Sequence, residues 1–207
     1  MKKILFMGDS ITDAGRTSVE NENLGSGYSL LVTSQLAFEH PGEYEFVNRG
    51  INGNRIVDLI ARVKKDMINL KPDVMSILIG VNDTWQEFDL QNGTETHKFE
   101  MYYNILIEQL KEALPELKIM ILEPFVFKGT ETEAYYEGFK KDVTEKAAAA
   151  KRVAEKNSLA FIPLQDKLDE AAKSAPEAYW LGDGVHPTPA GHELIKREWL
   201  KKFEEIK

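Results

Sequence analysis

Residues 4–12 read Ile-Leu-Phe-Met-Gly-Asp-Ser-Ile-Thr, a short apolar run that turns abruptly polar. Four consecutive apolar residues bounded by a turn signal are typical of a buried strand. Gly8, Asp9 and Ser10 follow the run directly and predict that the strand ends there in a turn. The stretch therefore places a carboxylate and a hydroxyl just beyond the carboxyl end of a buried strand.

Similar short apolar runs recur along the whole chain. Besides the run from Ile4 to Met7, buried strands are predicted at 44–48, 74–79, 119–122 and 159–163. Longer segments with apolar residues at helical spacing separate these runs. Strands that alternate with helices favour a parallel sheet covered by helices on both faces, so an α/β fold is expected. No repeat or linker divides the sequence, and we expect one domain over residues 1–207.

Three helical segments have the clearest patterns. One carries Ile56, Leu59, Ile60, Val63 and Met67, and a second carries Tyr102, Ile105, Leu106, Leu110 and Ala113. At Thr188-Pro189 an N-cap residue followed by proline predicts the start of the last helix. The basic residues between Lys140 and Arg152 are expected on the solvated face of another helix.

The composition restricts the class of protein. The chain has 207 residues, 43% of them hydrophobic and 29% charged, which is the balance of a globular protein. The formal net charge of −8 disfavours nucleic acids and anionic membranes as partners. There is no cysteine, which excludes disulfides and thiolate chemistry. The first apolar run is too short for a secretory signal, and no stretch approaches a membrane span, so we expect a cytoplasmic location.

Polar residues follow the first three predicted strands, and another group lies beyond the fifth. They are Ser10, the glycines of Arg49-Gly50-Ile51-Asn52-Gly53, Asn82-Asp83, and the pair Asp183 and His186. In parallel sheets, ligands bind beyond the carboxyl ends of the strands. We therefore expect these loops to meet at one rim of the sheet.

These residue types suit nucleophilic catalysis by serine. A serine hydroxyl needs a neighbouring base, and the base is usually oriented by a carboxylate. Asp183 lies three residues before His186 on a glycine-containing loop, so one turn can join carboxylate and imidazole. Candidate hydrogen-bond donors for a developing oxyanion are the N–H groups of Ser10 and Gly53 and the side-chain amide of Asn82. Taken alone, Ser10 favours the simpler interpretation that it caps the helix after the first strand.

Four blocks together resemble the SGNH/GDSL hydrolase family: Gly8-Asp9-Ser10, the Gly53 loop, Gly80-Val81-Asn82-Asp83 and Asp183-Gly184-Val185-His186. The resemblance implies a flavodoxin-like three-layer α/β/α fold with a five-stranded parallel sheet. It also implies hydrolysis of acyl esters without a metal or an organic cofactor. By the same resemblance, Ser10 is the nucleophile and Asp183 and His186 are the acid–base pair. Ser10, Gly53 and Asn82 form the oxyanion hole, with Gly50 as a second possible glycine.

A narrower resemblance links the chain to intracellular acetyl-xylooligosaccharide esterases of that family. It is carried by Gly25-Ser26-Gly27-Tyr28, by residues 47–54 and by residues 79–85. It implies that the substrate is an acetylated oligosaccharide and that the protein forms a homo-oligomer. Asn52 stands where serine is frequent and Gly184 where a larger residue occurs, so both are expected to alter the rim of the pocket.

Substrate contacts are expected from Asp9, Trp85 and Trp180, with Tyr28, Phe125 and Phe127 as further aromatics near the rim. For Asp9 the alternative is a local hydrogen bond that supports the turn, and for the aromatics it is core packing. His40 and His97 are expected in solvent and His192 in a structural role. Only His186 has a carboxylate one turn away in a loop that follows a strand.

Three other functions stay open at this point. A lysophospholipase or thioesterase of the same family would use the same residues on a longer acyl chain. A metallophosphoesterase would need several His and Asp ligands at strand ends, and the early blocks Gly8-Asp9 and Asn82-Asp83 contain no histidine. A catalytically idle binding module would lack an activated serine. The Gly-x-Ser-x-Gly elbow of the α/β-hydrolases is absent.

Overall fold

The computed structural model describes residues 1–17 and 23–207, and its strands form one five-stranded sheet. The strands are β1 (Lys2–Gly8), β2 (Tyr44–Asn48), β3 (Val74–Leu78), β4 (Lys118–Leu122) and β5 (Ala160–Ile162). All four pairings are parallel, and the spatial order is β2-β1-β3-β4-β5. This is the flavodoxin-like order, in which the chain reverses direction across the sheet between β1 and β3. The predicted α/β fold is confirmed.

The strand positions predicted from sequence are confirmed, with ends that differ by at most two residues and β2 predicted without error. β3 ends at Leu78 because the chain turns at Gly80, whose φ is 128°. β5 is shorter than predicted because the N–H of Leu159 donates to the Ala154 carbonyl and so belongs to the end of the preceding helix.

Helices connect the strands and cover both faces of the sheet. They are α1 (Ser10–Asp13), α2 (Tyr28–Glu39), α3 (Ile56–Ala61), α4 (Val63–Asp66), α5 (Val81–Leu90), α6 (Thr96–Ala113), α7 (Tyr136–Asn157), α8 (Gln165–Ala171), α9 (Glu177–Trp180) and α10 (Pro189–Ile206). Short 3-10 turns occur at Ile68–Leu70 and Glu133–Tyr135. Within residues 1–17 and 23–207, no helix has the length and apolarity needed to cross a membrane.

The helix predicted from Ile56 to Met67 is interrupted. α3 ends at Ala61 and α4 begins at Val63, with Arg62 between them. The N–H of Arg62 donates to Leu59, three residues back, which tightens the chain at this point. The apolar pattern alone does not show this break, because the apolar residues on both sides still face the sheet.

Side chains of successive strand residues alternate between two hydrophobic cores. Ile4 and Phe6 of β1 belong to the core shared with α2 and α10, whereas Leu5 and Met7 belong to the core shared with α3 and α6. This period of two is the geometry of a strand buried on both faces. A hydrophobic core thus stabilises each face of the sheet, and the loops at the carboxyl ends of its strands lie outside these cores.

The last helix starts as predicted. Thr188 is its N-cap, and the Thr188 hydroxyl accepts a hydrogen bond from the N–H of Gly191. Ile195, Trp199 and Phe203 lie on its buried face. Because the N-cap of α10 lies two residues after His186, the packing of α10 fixes where the preceding loop ends.

Candidate active site

The structure joins three polar side chains from the two ends of the chain. The Ser10 hydroxyl lies 2.9 Å from Nε2 of His186, although the two residues are 176 positions apart. On the other side of the ring, Nδ1 of His186 lies 2.6 Å from Oδ2 of Asp183. Hydroxyl, imidazole and carboxylate therefore form one continuous hydrogen-bonded chain.

Hydrogen-bonding capacity fixes the tautomer of the neutral imidazole. The ionised carboxylate of Asp183 only accepts, so Nδ1 of His186 carries the proton. Nε2 then presents its lone pair to the Ser10 hydroxyl, which donates to it. His186 is thus oriented to accept a proton from Ser10.

The carboxylate of Asp183 is held by its own turn. Its Oδ1 accepts from the backbone N–H of Val185 at 2.9 Å and of His186 at 2.7 Å. Partial burial raises the pKa of Asp183, but the hydrogen bonds from the His186 backbone and ring and from Val185 outweigh it and lower the pKa below its ordinary value. The group therefore stays ionised, as an orienting carboxylate must.

A segment after β4 supports this turn from behind. The N–H of Phe127 donates to the Gly184 carbonyl at 2.8 Å, and the N–H of Glu131 donates to the Asp183 carbonyl at 3.1 Å. Gly184 has a φ of 101°, and a Cβ there would lie 2.7 Å from the Phe127 carbonyl oxygen. Gly184 is buried against this segment, so the expectation that it shapes the rim of the pocket is wrong; Asn52 is exposed.

Ser10 is placed by the turn between β1 and α1. Asp9 is the N-cap of α1, and its Oδ1 accepts from the N–H of Ile11 at 3.0 Å. Asp9 is 1% exposed, so its carboxylate faces inward, and the expected substrate contact is replaced by the local hydrogen bond. Among residues 1–17 and 23–207, the N–H of Ser10 has no acceptor.

The two glycines considered for an oxyanion donor differ in what their N–H groups bind. The N–H of Gly50 donates to Oδ1 of Asn48 at 2.8 Å and is therefore already used. The N–H of Gly53 has no acceptor in the described part of the chain. Gly53 also has a φ of 78°, a conformation that favours glycine, and its carbonyl accepts from the Gln86 amide at 2.6 Å. The geometry favours Gly53.

Asn82 lies in the first turn of α5, directly after β3. Its side chain is buried, and Nδ2 donates one hydrogen to the carbonyl of Asn54 at 3.2 Å. An amide nitrogen carries two hydrogens, so the second remains for another acceptor. This bond also ties α5 to the residue that follows Gly53.

Asp83 braces the same junction from within the protein. Both of its carboxylate oxygens lie within 3.2 Å of the N–H of Ile56, the first residue of α3. Burial raises the pKa of Asp83 to about 7, against the lowering effect of its hydrogen bonds from Thr94 and Ile56 and of the nearby Lys146. Its role is structural, as one would expect for a fully buried carboxyl group.

The expected aromatic contacts divide into three groups. The half-buried Trp85 ring lies 5.8 Å from the His186 ring, so it forms a wall of the site. Trp180 instead lines a cavity of about 500 Å³ with residues of α8 and α10, and neither Ser10 nor His186 lines that cavity. The remaining three are buried core residues, which corrects the expectation that they approach the rim: Tyr28, Phe125 and Phe127.

His192 has the predicted structural role. Its Nδ1 accepts from the backbone N–H of Tyr28 at 3.1 Å. Burial, together with the nearby His186, lowers its pKa to about 4, so it stays neutral near pH 7. Within residues 1–17 and 23–207, no group of three or more potential metal ligands is assembled.

The arrangement supplies what acyl transfer needs. The Ser10 hydroxyl contacts an imidazole, the imidazole contacts a carboxylate, and the N–H groups of Ser10 and Gly53 have no acceptor among the described residues. Residues 6–194 also match the sequence profile of the GDSL-like lipase/acylhydrolase family. The chain belongs to this family. It is a carboxylic ester hydrolase.

Known members of the GDSL-like family are similar over nearly the whole length. An acetylxylan esterase of Geobacillus stearothermophilus is 35% identical over 98% of this chain and 94% of its own. The crystal structure of Axe2, an acetylxylan esterase from the same organism, has a TM-score of 0.87 at 33% identity, covering 97% of this chain and 93% of its own. A GDSL-like protein of Parabacteroides merdae has a TM-score of 0.91 at 35% identity, with 98% and 95% covered.

The buried carboxyl group of Asp9 predicts how stability depends on pH. Burial raises its pKa from 3.8 to about 7, although the hydrogen bond from Ile11 and the charge on His186 act to lower it. Between these two values the folded protein keeps a proton that the unfolded chain has released. The free energy of unfolding therefore falls as the pH rises through this range.

Asp9→Asn should remove this loss, because the amide does not ionise. Relative to the parent, the variant should gain stability progressively from pH 4 to pH 8, by up to ~4 kcal/mol. Urea denaturation at several pH values measures the gain. The control is Asp166→Asn, which changes an exposed carboxylate in α8. An equal pH profile for Asp9→Asn and the parent would show that Asp9 is ionised in the folded protein.

Proposed function

We propose that this enzyme hydrolyses short-chain acyl esters through an acyl intermediate on Ser10, and that its natural substrate is an acetylated xylo-oligosaccharide. The observation that carries the proposal is the 2.9 Å contact between the Ser10 hydroxyl and Nε2 of His186, with Asp183 on the opposite ring nitrogen. This pairing activates a serine only when the base is correctly oriented, and here the carboxylate orients it.

The first half-reaction forms the acyl-enzyme. Oγ of Ser10 attacks the carbonyl carbon of the ester while Nε2 of His186 takes its proton. The imidazolium that forms is stabilised by Asp183. As the tetrahedral intermediate collapses, His186 returns the proton to the departing sugar oxygen, so a neutral alcohol leaves.

In the tetrahedral intermediate, three hydrogen-bond donors stabilise the negative charge on the former carbonyl oxygen. The N–H groups of Ser10 and Gly53 and the second hydrogen of the Asn82 amide are the candidates, and none has another acceptor in the described residues. Donors held in place beforehand need no reorganisation as charge develops. Removing one such donor typically lowers kcat by about 10²- to 10³-fold.

The second half-reaction releases the acid. A water molecule replaces the sugar, donates a proton to His186 and attacks the acyl carbon. Collapse of the second tetrahedral intermediate breaks the bond to Ser10, and the proton returns to Oγ. Acetic acid leaves with the second proton of the water and releases that proton to solvent as it ionises to acetate, and the enzyme is restored.

The relatives support both parts of the proposal. Structures of catalytic mutants of Axe2 replace one serine, one aspartate and one histidine, and the latter two are three positions apart. Asp183 and His186 have the same separation. Axe2 is described as an acetylxylan esterase and an acetyl-xylooligosaccharide esterase.

The local surroundings of His186 favour a polar, solvated substrate. The His186 side chain is 42% exposed, and the half-buried Trp85 ring stands 5.8 Å away. An aromatic wall beside an open base suits a sugar, whose ring faces pack on indoles while its hydroxyls stay hydrated. A lysophospholipase or thioesterase with a long acyl chain would be better served by an enclosed apolar wall around the base.

Further features of the proposal concern the whole protein. We infer that residues 1–207 act as one domain, in the cytoplasm, without a metal or organic cofactor, and as a homo-oligomer. The family match over residues 6–194 supports the single domain, since it leaves little chain outside it. Every group that the proposed steps use belongs to this chain.

Replacing Ser10 tests the mechanism. Ser10→Ala should fold normally and lose turnover of 4-nitrophenyl acetate by about 10⁴- to 10⁶-fold, because the acyl acceptor is gone. Ser174→Ala is the matched control, since Ser174 is exposed on a surface turn. Initial rates with circular dichroism of both variants give the answer. Turnover at the parental rate in Ser10→Ala would refute the proposed nucleophile.

A substrate panel tests the proposed ester. Acetylated xylobiose should have the highest kcat/KM, followed by acetylated glucosamine, with phospholipid and long-chain acyl thioester far lower. Among nitrophenyl esters the acetate should exceed the octanoate, since an open site offers a long chain little burial. A preference for octanoate or for the thioester would instead assign the enzyme to the lysophospholipase or thioesterase group.

A further inference from the structure

One arginine contacts both loops that carry the backbone oxyanion donors. Nη2 of Arg62 donates to the carbonyl of Gly8 at 3.2 Å, and its Nη1 donates to the carbonyl of Arg49 at 2.8 Å. Its Nε donates to Oδ1 of Asn54 at 2.8 Å. Besides its bond to Asp66, the planar guanidinium thus bonds to three oxygens, one at the last residue of β1 and two in the loop after β2.

These three oxygens flank the proposed donors on the chain. Gly8 lies two residues before Ser10, and Arg49 and Asn54 lie on either side of Gly53. The Asn54 carbonyl also accepts from the amide of Asn82. Arg62 therefore contacts the Ser10 loop directly and reaches both Gly53 and Asn82 through Asn54.

The setting makes the guanidinium a rigid connector. The Arg62 side chain is 12% exposed, and Asp66 is its ion-pair partner, with 3.2 Å between Nη1 and Oδ2. Arg62 lies where the helix pattern breaks between α3 and α4, so its backbone belongs to neither helix. Because it donates to the Gly8 carbonyl, the guanidinium is held at the carboxyl end of β1.

We propose that Arg62 is a positioning residue that sets the spacing between the N–H of Ser10, the N–H of Gly53 and the amide of Asn82. This inference rests on the proposed function, because it assigns those three groups to the oxyanion. Arg62 does not touch the substrate in this proposal. It acts through the carbonyls of Gly8 and Arg49 and the side chain of Asn54.

Lysine is not a substitute for this role. An ammonium group keeps the charge opposite Asp66 but is a single point donor, whereas the guanidinium presents donors in a fixed plane. Misplacing a catalytic group by about 1 Å can lower the rate by about 10²-fold. The conservative change Arg62→Lys therefore separates the geometry of the connector from its charge.

The main experiment measures kcat and KM of Arg62→Lys with 4-nitrophenyl acetate. We expect kcat to fall by about 10- to 100-fold while KM stays within about 2-fold, since the lost interaction is made in the transition state. The matched control is Arg197→Lys, because Arg197 is exposed and pairs only with Glu193 in the described structure. Parental kcat in Arg62→Lys would overturn the proposal.

A double-mutant cycle distinguishes positioning from general support of the fold. Asn82→Ala removes one donor, and Arg62→Lys added to it should then lower kcat by only a few fold, because part of what Arg62 positions is gone. If Arg62 only stabilised the protein, the two factors would multiply in full. Full multiplication would therefore contradict the proposal.

Two further variants test the proposal even if Arg62→Lys does not fold. In Arg62→Ala, millimolar guanidinium chloride should restore part of kcat, whereas the same concentration of sodium chloride should not. Asn54→Ala removes only the acceptor of Nε and should lower kcat by about 10-fold with KM held. If guanidinium chloride does not restore the kcat of Arg62→Ala and Asn54→Ala keeps the parental kcat, the proposal is overturned.

The outcome is also distinguishable from a failure of the proposed function. An inactive parent protein would refute the esterase mechanism before Arg62 is considered. An active parent whose Arg62→Lys variant is equally active would refute only the positioning role and leave the Ser10 mechanism intact.

Discussion

The hydrogen bond between the Ser10 hydroxyl and Nε2 of His186 depends on the packing of the sheet and of the last helix. It joins residues 176 positions apart, so it forms only when β1 lies in the sheet and α10 packs on the core around Phe6. Neither residue is held by the other alone. Ser10 is placed by the capped turn after β1, and His186 by the hydrogen bonds of Asp183. The protein therefore uses its fold to convert two weakly reactive groups into a nucleophile and its base.

Much of this arrangement was predictable from local patterns. The apolar run before Gly8 shows a strand, and parallel strands present the residues after them at one edge, so Ser10, Gly53 and Asn82 could be expected together. The contacts that support these loops could not be predicted from the sequence. Arg62 and the segment around Phe127 act through backbone carbonyls, which leave no mark on residue type. Lys146 falls in a basic run expected in solvent, yet it is buried and paired with Asp142, because burial depends on which helix packs beside it.

Two buried carboxyl groups position the loops of the site at a cost in stability. Asp9 and Asp83 are both fully enclosed, and burial raises the pKa of each to about 7. Hydrophobic residues at these positions would avoid the cost of desolvation. Each carboxyl instead binds a backbone N–H at the start of a helix: Asp9 binds Ile11 of α1, which begins at Ser10, and Asp83 binds Ile56 of α3, which follows the Gly53 loop. Active sites commonly retain such locally unfavourable groups.

Activation of Ser10 by His186 can be measured by covalent labelling. The protein is treated with a fluorophosphonate, and peptide mass spectrometry locates the adduct and follows its rate. We expect one rapidly formed adduct, on Ser10, with a rate that falls by several orders of magnitude in His186→Ala. Labelling of another residue, or an unchanged rate at Ser10 without the imidazole, would contradict it.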